Sequence, residues 1–316
     1  MTVRVAAIDC GTNSIRLLIA DVDVASSKLT DVVRLMETVR LGEGVDRTGE
    51  FSAAALERTF ATCDRYADQI RTHGVSKVEF VATSASRDVS NRDEFANGVN
   101  SRLGVSPSVI TGEQEAQLSF AGAVKALGGQ IGPEQALVVD IGGGSTEFVR
   151  GSVARGVSAA HSVDIGCVRM TERHLRDDPP SYEQVIAATA DIDAAIAAAD
   201  AQVDFGLAQT LVGLAGSVTT VAALALGLEE YDANVINGSR VSAADVDSIA
   251  TSLLMMKRTD RARLGVMHPG RVDVIGGGAL VLDRILKATG LASVLVSEHD
   301  ILDGIAWSLA DGSEVA

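Results

Sequence analysis

The sequence predicts an α/β protein of two similar domains, and three observations support this prediction. Strand and helix patterns alternate along the chain, which is typical of layered α/β folds. A chain of 316 residues is also too long for one ordinary hydrophobic core. Finally, "AAIDCGTNSIRLLI" at 6–19 and "LVVDIGGGSTEFVR" at 137–150 share one form: strand, Asp, small-residue turn, hydroxyl, strand. Their aspartates are 131 residues apart, which is the scale of a duplicated domain.

The first half of the chain shows clear strand and helix patterns. Between Ser52 and His73 apolar residues recur at helical spacing, and Gly74 predicts where that helix stops. Short apolar runs predict the strands. The predicted strands are 3–9, 15–22, 29–41 and 77–83, and the predicted helices are 52–73, 91–104 and 112–127.

A Gly/Pro-rich stretch at 127–135 predicts the domain boundary, so we expect domains at 1–127 and 128–316. The strand pattern restarts directly after it. The predicted strands of the second domain are 136–141, a region from 146 to about 163, 209–214, 272–275 and 293–297. The predicted helices are 181–201, 217–226, two across 242–264, 279–289 and a last one at about 300–311.

Composition and charge exclude several classes of protein. The net charge of −15 would repel duplex nucleic acid, and 3% aromatic residues offer few platforms for stacking on bases. The sequence contains no run of about 18 uncharged apolar residues, so we predict no membrane span. The chain enters "VRVAAID" without a basic and then apolar leader, and its three cysteines are dispersed. We therefore expect a cytoplasmic protein.

The first Asp-led turn, 9–14, has the chemistry of a phosphate-binding hairpin. Glycine permits the tight turn, and Thr12, Asn13 and Ser14 supply hydrogen-bond donors. Arg16 lies on the same strand face as Ser14, where a guanidinium could clamp phosphate oxygens. The alternative is an ordinary hairpin with Asn and Gly as turn residues.

The second Asp-led turn is more specific. Three glycines, 142–144, let backbone N–H groups approach an anion and form a concavity for phosphate. Asp140 and Glu147 flank the turn, and such carboxylates can hold a divalent cation that binds the phosphate. The segment therefore predicts a metal–phosphate site.

A helix start at 109–124 contributes a further carboxylate. Thr111 with Gln114 predicts a capping box, and Glu115 lies at the end of the first turn. A carboxylate there could act as general base for water. The alternative is a first-turn glutamate that the helix dipole favours.

Other candidates lie after strands. Arg87 follows the strand of "VATSASRDVSN", where α/β folds bind ligands, or it pairs with Asp88 or Glu94. Arg169 in "DIGCVRM" is a weaker candidate of the same kind. "LVGLAGSVTTVAAL" at 211–224 and "VIGGGALVLDRIL" at 274–286 each predict strand, small-residue turn and helix. These turns serve either phosphate or nucleotide binding, or close packing.

Taken together, these segments resemble the exopolyphosphatase / guanosine pentaphosphate phosphohydrolase (Ppx/GppA) family, within the superfamily of acetate and sugar kinases, heat-shock ATPases and actin. The segments that carry the resemblance occur in family order and cover most of the chain: "AAIDCGTNSIRLLI", "VATSASRD", "ITGEQEAQL", "LVVDIGGGSTEFV", "GLAGSVTTVAAL" and "VIGGGALVLDRIL".

The resemblance implies two ribonuclease-H-like domains with a cleft between them, and a last helix that packs back on the first domain. It implies hydrolytic release of terminal phosphate from inorganic polyphosphate, with Mg²⁺ or alternatively Mn²⁺. By position, Glu115 is similar to the family's water-activating glutamate, and Asp140, Glu147 and Asp9 to its metal-holding carboxylates. The residues that it assigns to substrate phosphates are Thr12, Asn13, Ser14, Arg16, Arg87, Gly142, Gly143, Gly144, Ser145 and Thr146.

The family also implies a homodimer, and the two-domain length leads us to expect a preference for short polyphosphate. One alternative is hydrolysis of guanosine pentaphosphate. A second is an ATP-dependent kinase or actin-like ATPase, which would need an adenosine pocket at 213–217 or 276–278. A third is a phosphate-binding regulator without turnover, against which four placed carboxylates argue: Asp9, Glu115, Asp140 and Glu147.

Overall fold

The computed structural model describes residues 2–87 and 89–312. The chain forms two compact units. Unit 1 comprises the described residues up to Gly122 and those from Ile301 onward, and unit 2 is Ala123–Asp300. Among the described residues, no helix combines the length and apolar character needed to cross a membrane.

Unit 1 is built around a five-stranded sheet with the order β3-β2-β1-β4-β5, in which β2 runs antiparallel to the others. This is the strand order of the ribonuclease-H-like fold. Its elements are β1 (Thr2–Cys10), β2 (Ser14–Asp23), β3 (Lys28–Thr38), α1 (Val45–Thr48), α2 (Ala53–Thr72), β4 (Lys77–Ala82), α3 (Ser84–Arg87), α4 (Arg92–Leu103), β5 (Ser108–Val109), α5 (Gly112–Leu127, which continues into unit 2) and α13 (Ile301–Asp311).

Helices cover both faces of this sheet, which explains the continuous apolar run at residues 5–8 of its central strand β1. Ala6 and Ile8 point into a core shared with α2 and α4. Val5 and Ala7 point to the opposite face, into a core that includes Leu118 of α5 and the apolar residues of α13. A strand buried on both faces reads as a continuous apolar run rather than an alternating one.

Unit 2 repeats this plan with one extra edge strand. Its sheet has the order β10-β11-β9-β6-β7-β8, with β6, β9 and β11 parallel and β7 antiparallel to β6. Its elements are β6 (Ala136–Ile141), β7 (Thr146–Ser152), β8 (Gly156–Val163), α6 (Cys167–Arg173), α7 (Tyr182–Val203), β9 (Thr210–Leu214), α8 (Ala215–Ala225), α9 (Ala233–Ile236), β10 (Arg240–Ser242), α10 (Ala243–Met255), α11 (Arg258–Arg261), α12 (Ile275–Thr289) and β11 (Ser293–Val296). The predicted pair of ribonuclease-H-like folds is confirmed.

The strand predicted at 272–275 is wrong. A 3-10 turn occupies Pro269–Arg271 and α12 begins at Ile275, so the three glycines at 276–278 lie inside the helix. At Gly278 a side chain would not fit, because α12 packs closely against α8: an added Cβ would lie 2.6 Å from the Cβ of Ser217. A short apolar run does not distinguish a strand from a buried helix start, which explains the error.

Candidate active site

The glycine turn between β6 and β7 presents backbone N–H groups in one direction. Gly142 N–H closes the turn on the Ser145 carbonyl at 3.0 Å, and the three glycine carbonyls accept hydrogen bonds from the start of α6. Because N–H and C=O point in opposite directions across a trans peptide, the N–H groups of residues 143–145 point away from α6. Successive amides of this kind bind anions. The supporting bonds run from Gly166 N to Gly144 O (3.2 Å), Cys167 N to Gly142 O (2.9 Å), and Val168 N and Arg169 N to Gly143 O (2.8 and 3.1 Å).

Gly166 is a part of this site that the sequence interpretation missed. A Cβ at this position would overlap the peptide between Gly143 and Gly144, so the chain needs glycine here to bring α6 against the turn. Arg169, which follows it, donates from Nε to the Gly144 carbonyl at 2.8 Å. The "DIG" before α6 is the sequence signal for Gly166, and the candidate phosphate ligand Arg169 contacts the glycine turn itself.

The two hydroxyl residues after the glycines are buried. Thr146 donates from Oγ1 to the Ile165 carbonyl at 3.0 Å and thereby ties β7 to the segment before α6. Ser145 is also buried, and its carbonyl closes the turn with Gly142. In this structure both residues shape the turn that would hold phosphate.

Asp140 and Glu147 face each other across β6 and β7 as direct cross-strand partners. Both are buried, with 7% and 0% of their surface exposed, and Ser162 donates from Oγ to Glu147 Oε1 at 2.7 Å. Like charges directly opposite each other are destabilising, and a cation beside them would offset that repulsion. The structure therefore brings together the two carboxylates predicted to hold a metal.

The donor set suits Mg²⁺ or a similar divalent cation. Mg²⁺ is usually bound by one or two carboxylates, with substrate phosphates and water completing its coordination. The described residues contain no group of three or more His, Cys, Asp or Glu arranged to hold a metal ion by themselves. A cation at Asp140 and Glu147 would thus leave positions for phosphate oxygens and water.

The first hairpin repeats the turn with different charges. Gly11 N–H closes it on the Ser14 carbonyl at 3.0 Å, as in the second hairpin. Asp9 again has a cross-strand partner, but this partner is Arg16, whose Nη2 and Nε lie 2.6 and 3.0 Å from Asp9 Oδ2. Asp9 is predicted to hold a metal and Arg16 to bind phosphate. In unit 1 the two side chains form an ion pair with each other.

Residues 39–42 hold this first turn in place, which the sequence interpretation did not foresee. Gly42 donates its N–H to the Thr12 carbonyl at 2.8 Å, and Arg40 donates its N–H to the Asn13 carbonyl at 2.8 Å. The Thr12 and Ser84 hydroxyls lie 3.0 Å apart, which links the turn to the start of α3. Arg40 has φ of +49°, a conformation uncommon outside glycine.

Arg87 and Glu115 form an ion pair in unit 1. Arg87 donates from Nη1 to Glu115 Oε2 at 3.0 Å and to the Ile110 carbonyl at 3.2 Å. Glu115 is 9% exposed. Glu115 is thus a partner of Arg87 that the sequence did not indicate. Asp88, one of the two predicted alternative partners, lies outside the described residues.

The predicted capping box at the start of α5 is confirmed. Gln114 N–H donates to Thr111 Oγ1 at 3.2 Å, and Thr111 N–H donates to Gln114 Oε1 at 2.8 Å. Gln114 therefore serves the helix start, while Glu115 points to Arg87. The capping box fixes the helix turn that carries the proposed base.

The turn at 213–217 is filled by packing. Val218 and Val294 side chains surround Gly213, and the Arg271 guanidinium lies directly against Gly216. Arg271 also donates from Nη1 to Thr220 Oγ1 at 3.4 Å. No sequence pattern pointed to Arg271, because its neighbours along the chain carry no motif.

Over nearly its whole length, this chain is similar to proteins of the exopolyphosphatase type. A Mycobacterium tuberculosis protein named Exopolyphosphatase 2 is 50% identical over 318 residues, which cover 97% of this chain and 98% of that protein. The crystal structure of an exopolyphosphatase-like protein is 44% identical, with a TM-score of 0.93 over 99% of this chain and 98% of its own. The Aquifex aeolicus member of the Ppx/GppA family is 28% identical, with a TM-score of 0.81 over 99% of both chains.

The family model agrees with these pairwise similarities. The model of the Ppx/GppA phosphatase family matches residues 18–312, which include Arg87, Glu115 and the second Asp-led turn. The resemblance predicted from the motifs is confirmed. This chain belongs to the Ppx/GppA phosphatase family.

Proposed function

We propose that this protein is an exopolyphosphatase that releases terminal orthophosphate from inorganic polyphosphate with the help of a divalent cation. The observation that carries the proposal is the opposed pair of buried carboxylates, Asp140 and Glu147, next to the amide-rich turn at 142–145. The similarity to Exopolyphosphatase 2 of M. tuberculosis supports the choice of substrate.

In this proposal Asp140 and Glu147 hold Mg²⁺, with Mn²⁺ as the alternative ion. A cation held there would supply positive charge to the phosphate oxygens. The N–H groups of residues 143–145 bind oxygens of the same phosphate, because they point away from α6 as a group. Phosphoryl transfer depends mostly on such positioning and charge stabilisation.

Glu115 is the proposed general base. Its carboxylate accepts a proton from a water molecule, whose oxygen bonds to the terminal phosphorus while the bridging P–O bond breaks. The products are orthophosphate and a polyphosphate shorter by one unit. Arg87 holds the Glu115 carboxylate at 3.0 Å and offers positive charge to the substrate. From the first hairpin, Arg16 offers a second positive charge, and Thr12, Asn13 and Ser14 offer hydrogen-bond donors.

The nucleotide-dependent alternative is less compatible with unit 2. The turns that an adenosine pocket would need are occupied, at 213–217 by valine side chains and Arg271, and at 276–278 by the first turn of α12. We therefore favour polyphosphate over ATP. A homodimer, a cytoplasmic location and a preference for short chains are further proposals that rest on the family resemblance.

The test is orthophosphate release by the purified protein with Mg²⁺, measured on short-chain polyphosphate, long-chain polyphosphate, guanosine pentaphosphate and ATP. Glu115→Gln should lose about 10²–10⁴-fold in turnover, the usual contribution of a general base. Glu113→Gln is the matched control, since Glu113 is an exposed carboxylate in the same first turn of α5. Release from guanosine pentaphosphate alone, or from ATP alone, would contradict the proposed substrate.

A further inference from the structure

Helix α13 packs against α5 through a glycine. Gly304 is buried, and a Cβ at this position would lie 2.8 Å from the carbonyl carbon of Leu118 and closer still to its oxygen. The atoms in the way belong to the backbone, so rotating a side chain cannot relieve the overlap. The distance between the two helices therefore depends on the absence of a side chain at residue 304.

The contact lies one helical turn from the proposed base. Leu118 follows Glu115 by three residues, and residues three apart share one face of a helix. Arg87 donates both to Glu115 and to the Ile110 carbonyl. The Ile110 side chain lies in the same apolar cluster as the residues of α13. α13 thus packs against the segments that carry both acceptors of the Arg87 guanidinium, the Glu115 carboxylate and the Ile110 carbonyl.

Two polar contacts hold α13 on unit 1. The Arg34 Nη2 lies 2.7 Å from Asp303 Oδ1, and Asp303 is 2% exposed. At the other end of the helix, Lys77 donates from Nζ to the Leu309 carbonyl at 2.9 Å. Because these contacts hold α13 at both ends, a larger side chain at residue 304 would displace α5 rather than α13.

We propose that Gly304 is a positioning residue for Glu115: by letting α13 approach the Leu118 backbone, it places the first turn of α5 so that Glu115 meets Arg87 and the attacking water. The proposal rests on the proposed function of Glu115. It assigns a role in turnover to a residue from the far end of the chain that carries no reactive group.

The first test compares Gly304→Ala with Ile305→Val. Misplacement of a catalytic group by about 1 Å can cost about 10²-fold in rate, so we expect Gly304→Ala to lower kcat by about 10- to 100-fold with a nearly unchanged KM. Ile305→Val removes one buried carbon from the same helix and adds no atom that could overlap the Leu118 backbone, so it should keep kcat within about twofold. Trp307, the single tryptophan, lies in α13, so its fluorescence should show that the helix is still docked in both variants.

The second test repeats Gly304→Ala in a Glu115→Gln background, using residual turnover at high enzyme concentration. If Gly304 acts through Glu115, then Gly304→Ala should cause no further loss of turnover in the Glu115→Gln background. Losses that multiply in the double variant, or a Gly304→Ala variant that behaves like Ile305→Val, would overturn the positioning role and leave the base assignment intact. A Glu115→Gln variant with normal turnover would overturn both.

A milder variant covers the case in which Gly304→Ala does not fold. Asp303→Asn keeps the shape of the side chain but weakens its ion pair with Arg34. We expect it to lower kcat about 3- to 10-fold and to have no effect in the Glu115→Gln background. A loss of the same size in both backgrounds would contradict the proposal.

Discussion

Asp140 and Glu147 are direct cross-strand partners whose buried carboxylates share one face of the unit 2 sheet. The corresponding pair in unit 1 is Asp9 and Arg16, which neutralise each other across β1 and β2. The duplicated hairpin therefore occurs once with its charge balanced internally and once with two negative charges. The proposed cation site corresponds to the hairpin with two carboxylates.

The acidic pair predicts how the metal affects stability. Mg²⁺ at about 100 times its Kd should stabilise the folded protein by about 2.7 kcal/mol, because it binds the folded state. Glu147→Gln should remove this stabilisation and also raise the Tm in chelator, since the repulsion with Asp140 disappears. Thermal unfolding with and without Mg²⁺ measures both effects. Glu113→Gln should retain the wild-type Mg²⁺ response.

The close approach of α6 to the glycine turn predicts a strict requirement at Gly166. Gly166→Ala should displace the Gly143–Gly144 peptide and raise the KM for polyphosphate about tenfold or more, with a stability loss of about 1–3 kcal/mol, as overpacking usually causes. Gly132→Ala is the control, because no atom lies within 4 Å of its added Cβ. Equal KM values for the two variants would show that the turn does not bind substrate.

The ion pair in the first hairpin predicts a recoverable loss of stability. Arg16→Met should destabilise the protein by about 2 kcal/mol or more, because it leaves the nearly buried Asp9 charge without its arginine. Adding Asp9→Asn should recover most of that loss. Denaturant unfolding of the two single variants and the double variant gives the coupling energy, and simple additivity would contradict a direct interaction.

The cysteines predict a slow reaction with thiol reagents. All three are buried; burial raises the pKa of Cys63 to about 12, and it also raises the pKa values of Cys10 and Cys167. At pH 8 these thiols stay protonated, and the thiolate is the reactive form. Modification of the native protein by a disulfide reagent should proceed no faster than unfolding. Rapid labelling of one thiol would place that residue outside the core.

Sequence patterns predicted the parts of this fold that depend on residues close together in the chain. The strand before each Asp-led turn contains an apolar run, and the Thr111–Gln114 capping box involves residues only three positions apart. Contacts between distant residues left no such pattern. Nothing near Gly304 or Asp303 in the chain indicates Leu118 or Arg34 as their partners, and nothing near Gly166 indicates the turn at 142–144. The error at 272–275 has the same origin, since the packing of α12, rather than its short apolar run, decides its structure.

The most direct test of the metal-assisted mechanism is the Mg²⁺ dependence of orthophosphate release from short-chain polyphosphate, for the wild-type protein and Glu147→Gln. The proposal predicts no turnover in chelator, recovery of the wild type as Mg²⁺ is added, and no recovery of Glu147→Gln at any Mg²⁺ concentration. Turnover without a divalent cation, or a Glu147→Gln variant that responds to Mg²⁺ like the wild type, would contradict the assignment of Asp140 and Glu147 as the metal site.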